Sequence, residues 1–116
     1  MRAMIYESYG GPEKLKLVEL PAPAPKQKQI AICVVAASIN PIDWKRAAGQ
    51  LRFIQPATFP SVPGYDVAGE VLAVGPGVTE FAIGARVHAR IKESKGGACA
   101  ESAIAGVDVT AEIPEG

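Results

Sequence analysis

Between its many glycines and prolines this chain reads mostly as strand, with apolar and polar positions alternating in "LKLVEL" (15–20). The segment "RAMIY" (2–6) is one short strand candidate and "LKLVEL" (15–20) is another. Between them, "SYGGPEK" (8–14) carries Gly-Gly-Pro turn punctuation, so the two predict an opening hairpin. The longest β-branched run, "QIAICVVAASI" (29–39), is apolar on both faces, with Ile30, Ile32 and Val34 on one and Cys33, Val35 and Ile39 on the other. It reads as a central strand buried on both sides, with Cys33 packed as a small hydrophobe.

Twelve glycines and ten prolines exclude long helices over most of the chain, because both residues interrupt helices and mark turns. Only "NPIDWKRAAG" (40–49) has complete helix punctuation. Asn40 can cap, Pro41 suits the first helical position, Asp43 places negative charge in the first turn, and Lys45 and Arg46 precede Gly49. One short helix over about 41–48 is predicted. The proline-rich "PAPAPKQ" (21–27) reads as an extended connector more readily than as a ligand for a partner module. "QLRFIQPATFPSV" (50–62) reads as an irregular loop long enough to form a functional surface, and strands resume from Pro63.

The stretch "VLAVGPGVTE" (71–80) opens like a dinucleotide-binding loop, with a β-branched run followed by Gly75-Pro76-Gly77. That fingerprint also needs a third glycine, a following helix and a βαβ frame. Glu80 stands at the third position, where its charge would face a pyrophosphate, and "FAIGARVHARI" beyond it reads as strand. The glycines are therefore predicted to turn the chain between antiparallel strands, "VAGEVLAV" before and "ARVHARI" after.

Charge and cysteine usage narrow the function classes. Twelve Lys and Arg offset twelve Asp and Glu, leaving no basic excess to track nucleic acid or anionic lipid. No stretch approaches the ~18 apolar residues of a spanning helix, and the N-terminus lacks an apolar signal core. The expectation is an intracellular protein, cytoplasmic or within an organelle's matrix or stroma, with neither nucleic acid nor membrane as partner. Cys33 and Cys99 form no C-x-x-C pair and His88 is the sole histidine, so no metal site is expected. At 116 residues, 48% of them apolar, one domain can bury a core without disulfides.

Three segments in order, "AASINPIDWKRAAG", "FPSVPGYDVAGEVLAVGPGVTEFAIGARV" and "GGACAESA", resemble the N-terminal GroES-like domain of the medium-chain dehydrogenase/reductase superfamily. Within it they are most similar to the zinc-free quinone oxidoreductase (zeta-crystallin-like) and alkenal/enone reductase branch. The resemblance implies a mainly β fold, a partly open GroES-like barrel with one short helix, and no Rossmann domain within these 116 residues. Zinc alcohol dehydrogenases place a catalytic cysteine where this chain has Asn40, and Gly-His-Glu where it has Gly64-Tyr65-Asp66. Both differences remove metal ligands. The usual G-D-x-V becomes Gly84-Ala85-Arg86-Val87, a change at a turn residue that bears on stability more than on chemistry. Relatives continue past a sequence like "EIPEG" into a Rossmann domain and then return to finish the catalytic domain. Residues 1–116 are thus expected to be an incomplete substrate-side domain, inactive alone.

For activity, the resemblance implies hydride transfer from NADPH to a quinone, or to the C=C bond of an α,β-unsaturated carbonyl, in proteins that are often homo-oligomers. Asn40 and Tyr65 are then the candidate catalytic residues, and Asn40, Asp43 and Lys45 the candidate cofactor contacts. Asn40 has two compatible roles, helix cap and cleft residue. Tyr65 can donate a proton or hydrogen bond, or pack against Trp44; Lys45 can contact a ligand or stay solvated. Trp44, Phe53 and Phe59 can wall an apolar substrate pocket or serve local packing. A second function class is a stand-alone, noncatalytic GroES-like binding or assembly module.

Overall fold

A computed structural model describes residues 1–50, 53, 59–91 and 97–114. Among the described residues, seven strands and one α-helix follow in the order β1 (Arg2–Ile5), β2 (Lys16–Glu19), β3 (Gln29–Ser38), α1 (Pro41–Ala47), β4 (Asp66–Val74), β5 (Arg86–Arg90), β6 (Ser102–Gly106) and β7 (Thr110–Glu112). β1 and β2 form the expected antiparallel hairpin, with Arg2 opposite Glu19. The other five strands make one sheet in the order β6-β3-β4-β5-β7. All of its pairings are antiparallel, so the described strands contain no βαβ unit. Both sheets are open rather than closed into a barrel, and the fold is mainly β with one short helix.

Side-chain alternation seats the core on one face of the large sheet. β4 turns Val67, Gly69 and Val71 inward, and β5 turns Val87 and Ala89 inward while Arg86, His88 and Arg90 face out. Ile30 and Ile32 of β3 complete the centre of this cluster. The hairpin is stitched on by main-chain bonds, Met4 N–H to the Cys99 carbonyl at 3.0 Å and Tyr6 N–H to that of Ser61 at 2.8 Å.

β3 is central in the sheet, but burial on both faces holds only for Ile30, Ala31 and Ile32. From Cys33 onward the expectation fails: Cys33 is exposed, and Val35 and Ile39 are 77% and 58% exposed. The reason lies in the partners. β6 pairs with β3 only as far as Cys33, and register shifts at Ala31/Ile32 and Val34/Ala36 break the simple alternation.

Gly75-Pro76-Gly77 leaves β4 as a turn, closed by Val78 N–H on the Gly75 carbonyl at 3.1 Å. A second turn, Ala85 N–H to the Ala82 carbonyl at 3.1 Å, leads into β5. The close approach that requires Gly75 is internal, since a Cβ there would lie 1.8 Å from the Lys26 carbonyl oxygen. Its glycine serves chain packing, not a phosphate. Gly84 differs, with φ +90° and open space around an added Cβ. Gly75→Ala is therefore expected to cost about 3 kcal/mol or more through forced main-chain displacement, against about 1–2 kcal/mol for Gly84→Ala. Urea denaturation of both variants checks the ranking.

Candidate functional site

Helix α1 begins two residues after β3 ends, at an N-cap, Asn40, in extended backbone. Asn40 and Asp43 form a capping box. The Asp43 carboxylate accepts the Asn40 main-chain N–H at 2.7 Å, and the Asn40 carbonyl accepts that of Asp43 at 2.9 Å. The other Asp43 oxygen accepts the Gly64 N–H at 3.0 Å, tying the helix start to the segment that enters β4. Gly64 has φ +97°, and a Cβ there would lie 2.8 Å from the Ala98 Cβ, so only glycine fits this corner.

One turn further along α1, Arg46 is buried and donates from Nη1 to the Tyr65 hydroxyl at 2.7 Å. Its guanidinium carbon lies 6.0 Å from the Tyr65 ring centroid. Arg46 Nε and Nη2 have no hydrogen-bond partner among the described residues. The adjoining cavity, lined by Tyr6, Asp43, Arg46, Phe59 and Tyr65, measures only ≈ 20 Å³. That is room for about one water, not for a quinone or an enone. Burial pushes the Tyr65 phenol up, and the Arg46 charge only partly opposes it. Burial also raises the Tyr6 phenol, with Glu13 adding to it, and raises the Cys99 thiol, with Asp43 adding to it.

A larger groove of ≈ 390 Å³ lies on the outer face of the sheet, floored by Ala36, Ala37 and Ala68 and edged by Asp66, His88 and Arg90. Asn40 reaches toward this side, donating from Nδ2 to Asp66 Oδ2 at 2.6 Å.

The structure thus brings Asn40, Asp43 and Tyr65 into one corner and separates the remaining candidates. Lys45 is exposed, its Nζ 5.6 Å from the Trp44 ring centroid, and Trp44 is itself 50% exposed. Phe59 packs edge-on against Tyr9 at 4.9 Å, whereas Phe53 is 88% exposed. Of the loop 50–62 that holds both, residues 51, 52 and 54–58 lie outside the described residues. The packing partner found for Tyr65 is Arg46, which the sequence offers only as a favourable charge near the helix end. One signal was present, since Asp43 and Arg46 stand at i, i+3 and share a helix face.

The alcohol dehydrogenase GroES-like domain family matches residues 26–114. The chain belongs to this family. The GroES-like domain is 44% identical over 98% of its length to a chloroplastic quinone-oxidoreductase homolog of Spinacia oleracea, of which it covers 35%. It is 43% identical over 80% of its length to a chloroplastic NADPH-dependent alkenal/one oxidoreductase of Arabidopsis thaliana, covering 24% of that protein. Among solved structures, a mycobacterial protein in complex with NADPH superposes with TM-score 0.85 at 33% identity, over 99% of this chain and 34% of that one. The chain spans about a third of the length of the first of these relatives. The names of these relatives are those of quinone and alkenal/one oxidoreductases.

Asn40 and Tyr65 stand at the corner, the Tyr65 oxygen is held by a guanidinium, and no three His, Cys, Asp or Glu side chains gather among the described residues. A pH prediction follows from the buried acids. Each of Cys99, Tyr6 and Tyr65 holds its proton more tightly folded than unfolded, so each contributes stability below its unfolded pKa that is lost as pH rises toward the folded value. Urea midpoints should fall from about pH 9 through the thiol and from about pH 10 through the phenols. Cys99→Ser should remove the earlier part of that fall.

Proposed function

We propose that the chain is the substrate-side domain of an NADPH-dependent, zinc-independent reductase acting on quinones or on the C=C bond of α,β-unsaturated carbonyls. Residues 1–116 form this domain in part, and the remaining length seen in the relatives supplies the cofactor domain. The observation that carries the reading is the 44% identity to a quinone-oxidoreductase homolog across nearly the whole chain, joined to an accessible polar helix start at Asn40. An organelle interior fits the chloroplastic relatives.

When bound, NADPH supplies the hydride. Gly75 offers its pyrophosphate no cradle, because it is pressed against the Lys26 carbonyl. Asn40 and Lys45, the two candidate cofactor contacts with solvent access, meet the nicotinamide end and the substrate. Asp43 and Tyr65 are buried, and both Asp43 oxygens are taken by main-chain N–H groups. Their part is to hold the helix start in place. Trp44, half-exposed on the same helix, is an apolar surface that a substrate ring or alkyl chain can meet, with Phe53 a second exposed aromatic ring.

NADPH binding and NADPH-dependent reduction of a quinone and a 2-alkenal test the proposal, with the 116-residue chain measured beside a polypeptide extended to the length of its relatives. Turnover is expected only from the extended form. Turnover by the chain alone would refute its incompleteness, and failure of the extended form with both substrates would refute the reductase reading. Lys45→Ala in the extended form should weaken NADPH binding about five- to tenfold, the loss of one partly exposed charge-assisted contact.

A further inference from the structure

We infer that Asp66 is a positioning residue that uses up the hydrogen-bond donors of Asn40, so that this side chain meets its ligand only as an acceptor. The inference rests on the reductase reading above for the identity of the ligand, but not for the geometry. The β3–β4 register sets Ser38 opposite Asp66, which puts both side chains on one face of the sheet, two residues before the helix cap. Asn40 Nδ2 lies 2.6 Å from Asp66 Oδ2 and 3.3 Å from Ser38 Oγ, and Ser38 Oγ lies 3.3 Å from the same Asp66 oxygen.

An aspartate carboxylate accepts hydrogen bonds and donates none, so the amide edge facing Asp66 must be the nitrogen. The Ser38 hydroxyl gives its single hydrogen to Asp66 and therefore faces Asn40 as an acceptor. Both Nδ2 hydrogens are thereby committed, and the Asn40 main-chain N–H already belongs to Asp43. What remains is Oδ1, a carbonyl oxygen with two lone pairs; occupation of one by the helix start leaves the other. Such a group accepts from an N–H or O–H of the ligand, such as the carboxamide or a ribose hydroxyl of the nicotinamide end. It cannot donate to a substrate carbonyl oxygen. On this helix the Lys45 ammonium is an exposed charged donor that can.

Two measurements test this. In the 116-residue chain, the Asn40 side-chain NH2 protons should exchange slowly with solvent in NMR spectra, and Asp66→Ala should return them to the free rate without unfolding the domain. Free-rate exchange in the wild type would overturn the clamp, whether or not the reductase reading stands. In the extended polypeptide, Asn40→Asp sets two carboxylates against each other and should weaken NADPH binding more than tenfold. Asn40→Asp combined with Asp66→Asn restores the bond with donor and acceptor exchanged and keeps an acceptor at position 40. Recovery to within about threefold of wild type is expected. A folded double variant that stays as weak as Asn40→Asp would show that Asn40 works as a donor, and would overturn the inference. Absence of NADPH binding by the wild-type extended form would instead count against the reductase reading, leaving the exchange measurement to decide the clamp.

Discussion

Burying a carboxylate costs several kcal/mol unless its oxygens are bonded, and Asp43 meets that condition with two main-chain N–H groups from distant parts of the chain. One belongs to Asn40 at the start of α1, the other to Gly64 at the entry to β4. These bonds fix the helix start against the segment that leads into the sheet. The Arg46–Tyr65 bond, one turn further on, repeats the tie between the same two segments. The placement of Asn40 beside Asp66 depends on this corner being rigid, because the cap and its partner come from different elements.

Opposite burial states on a single helix divide the labour. Asp43 and Arg46 face inward and are spent on structure, while Trp44 and Lys45 face outward and are available. Only Asn40, at the boundary, belongs to both sets. A cap residue is well suited to that position, since its backbone starts the helix while its side chain lies outside the helical hydrogen-bond ladder.

Features that depend on neighbours in sequence were legible before the structure. Pro41, Asp43 and Gly49 punctuate α1 locally, and Gly-Gly-Pro marks the first hairpin, so both were found close to their observed limits. The dinucleotide-like Gly75-Pro76-Gly77 is legible as a turn too, because the missing third glycine and helix are visible in the sequence itself. What depends on partners was not. Val35 looks buried in a run of apolar residues, yet it lies past Cys33, where the pairing with β6 ends, and is exposed, which the run does not encode. β6 itself, rich in Ala, carries little strand propensity. The tie of Asp66 to Asn40 needed the bulged β3–β4 register, and the burial of Arg46 needed Tyr65 to be brought against it.

The central claim is that Asp43 locks the helix start to the Gly64 segment. Native-state hydrogen exchange of the Gly64 amide in this chain tests it most directly. This amide is expected to exchange only through unfolding of the whole domain, as slowly as the core amides of β4, and Asp43→Ala to release it to fast local exchange. Rapid exchange of Gly64 in the wild type, with β4 still protected, would contradict it.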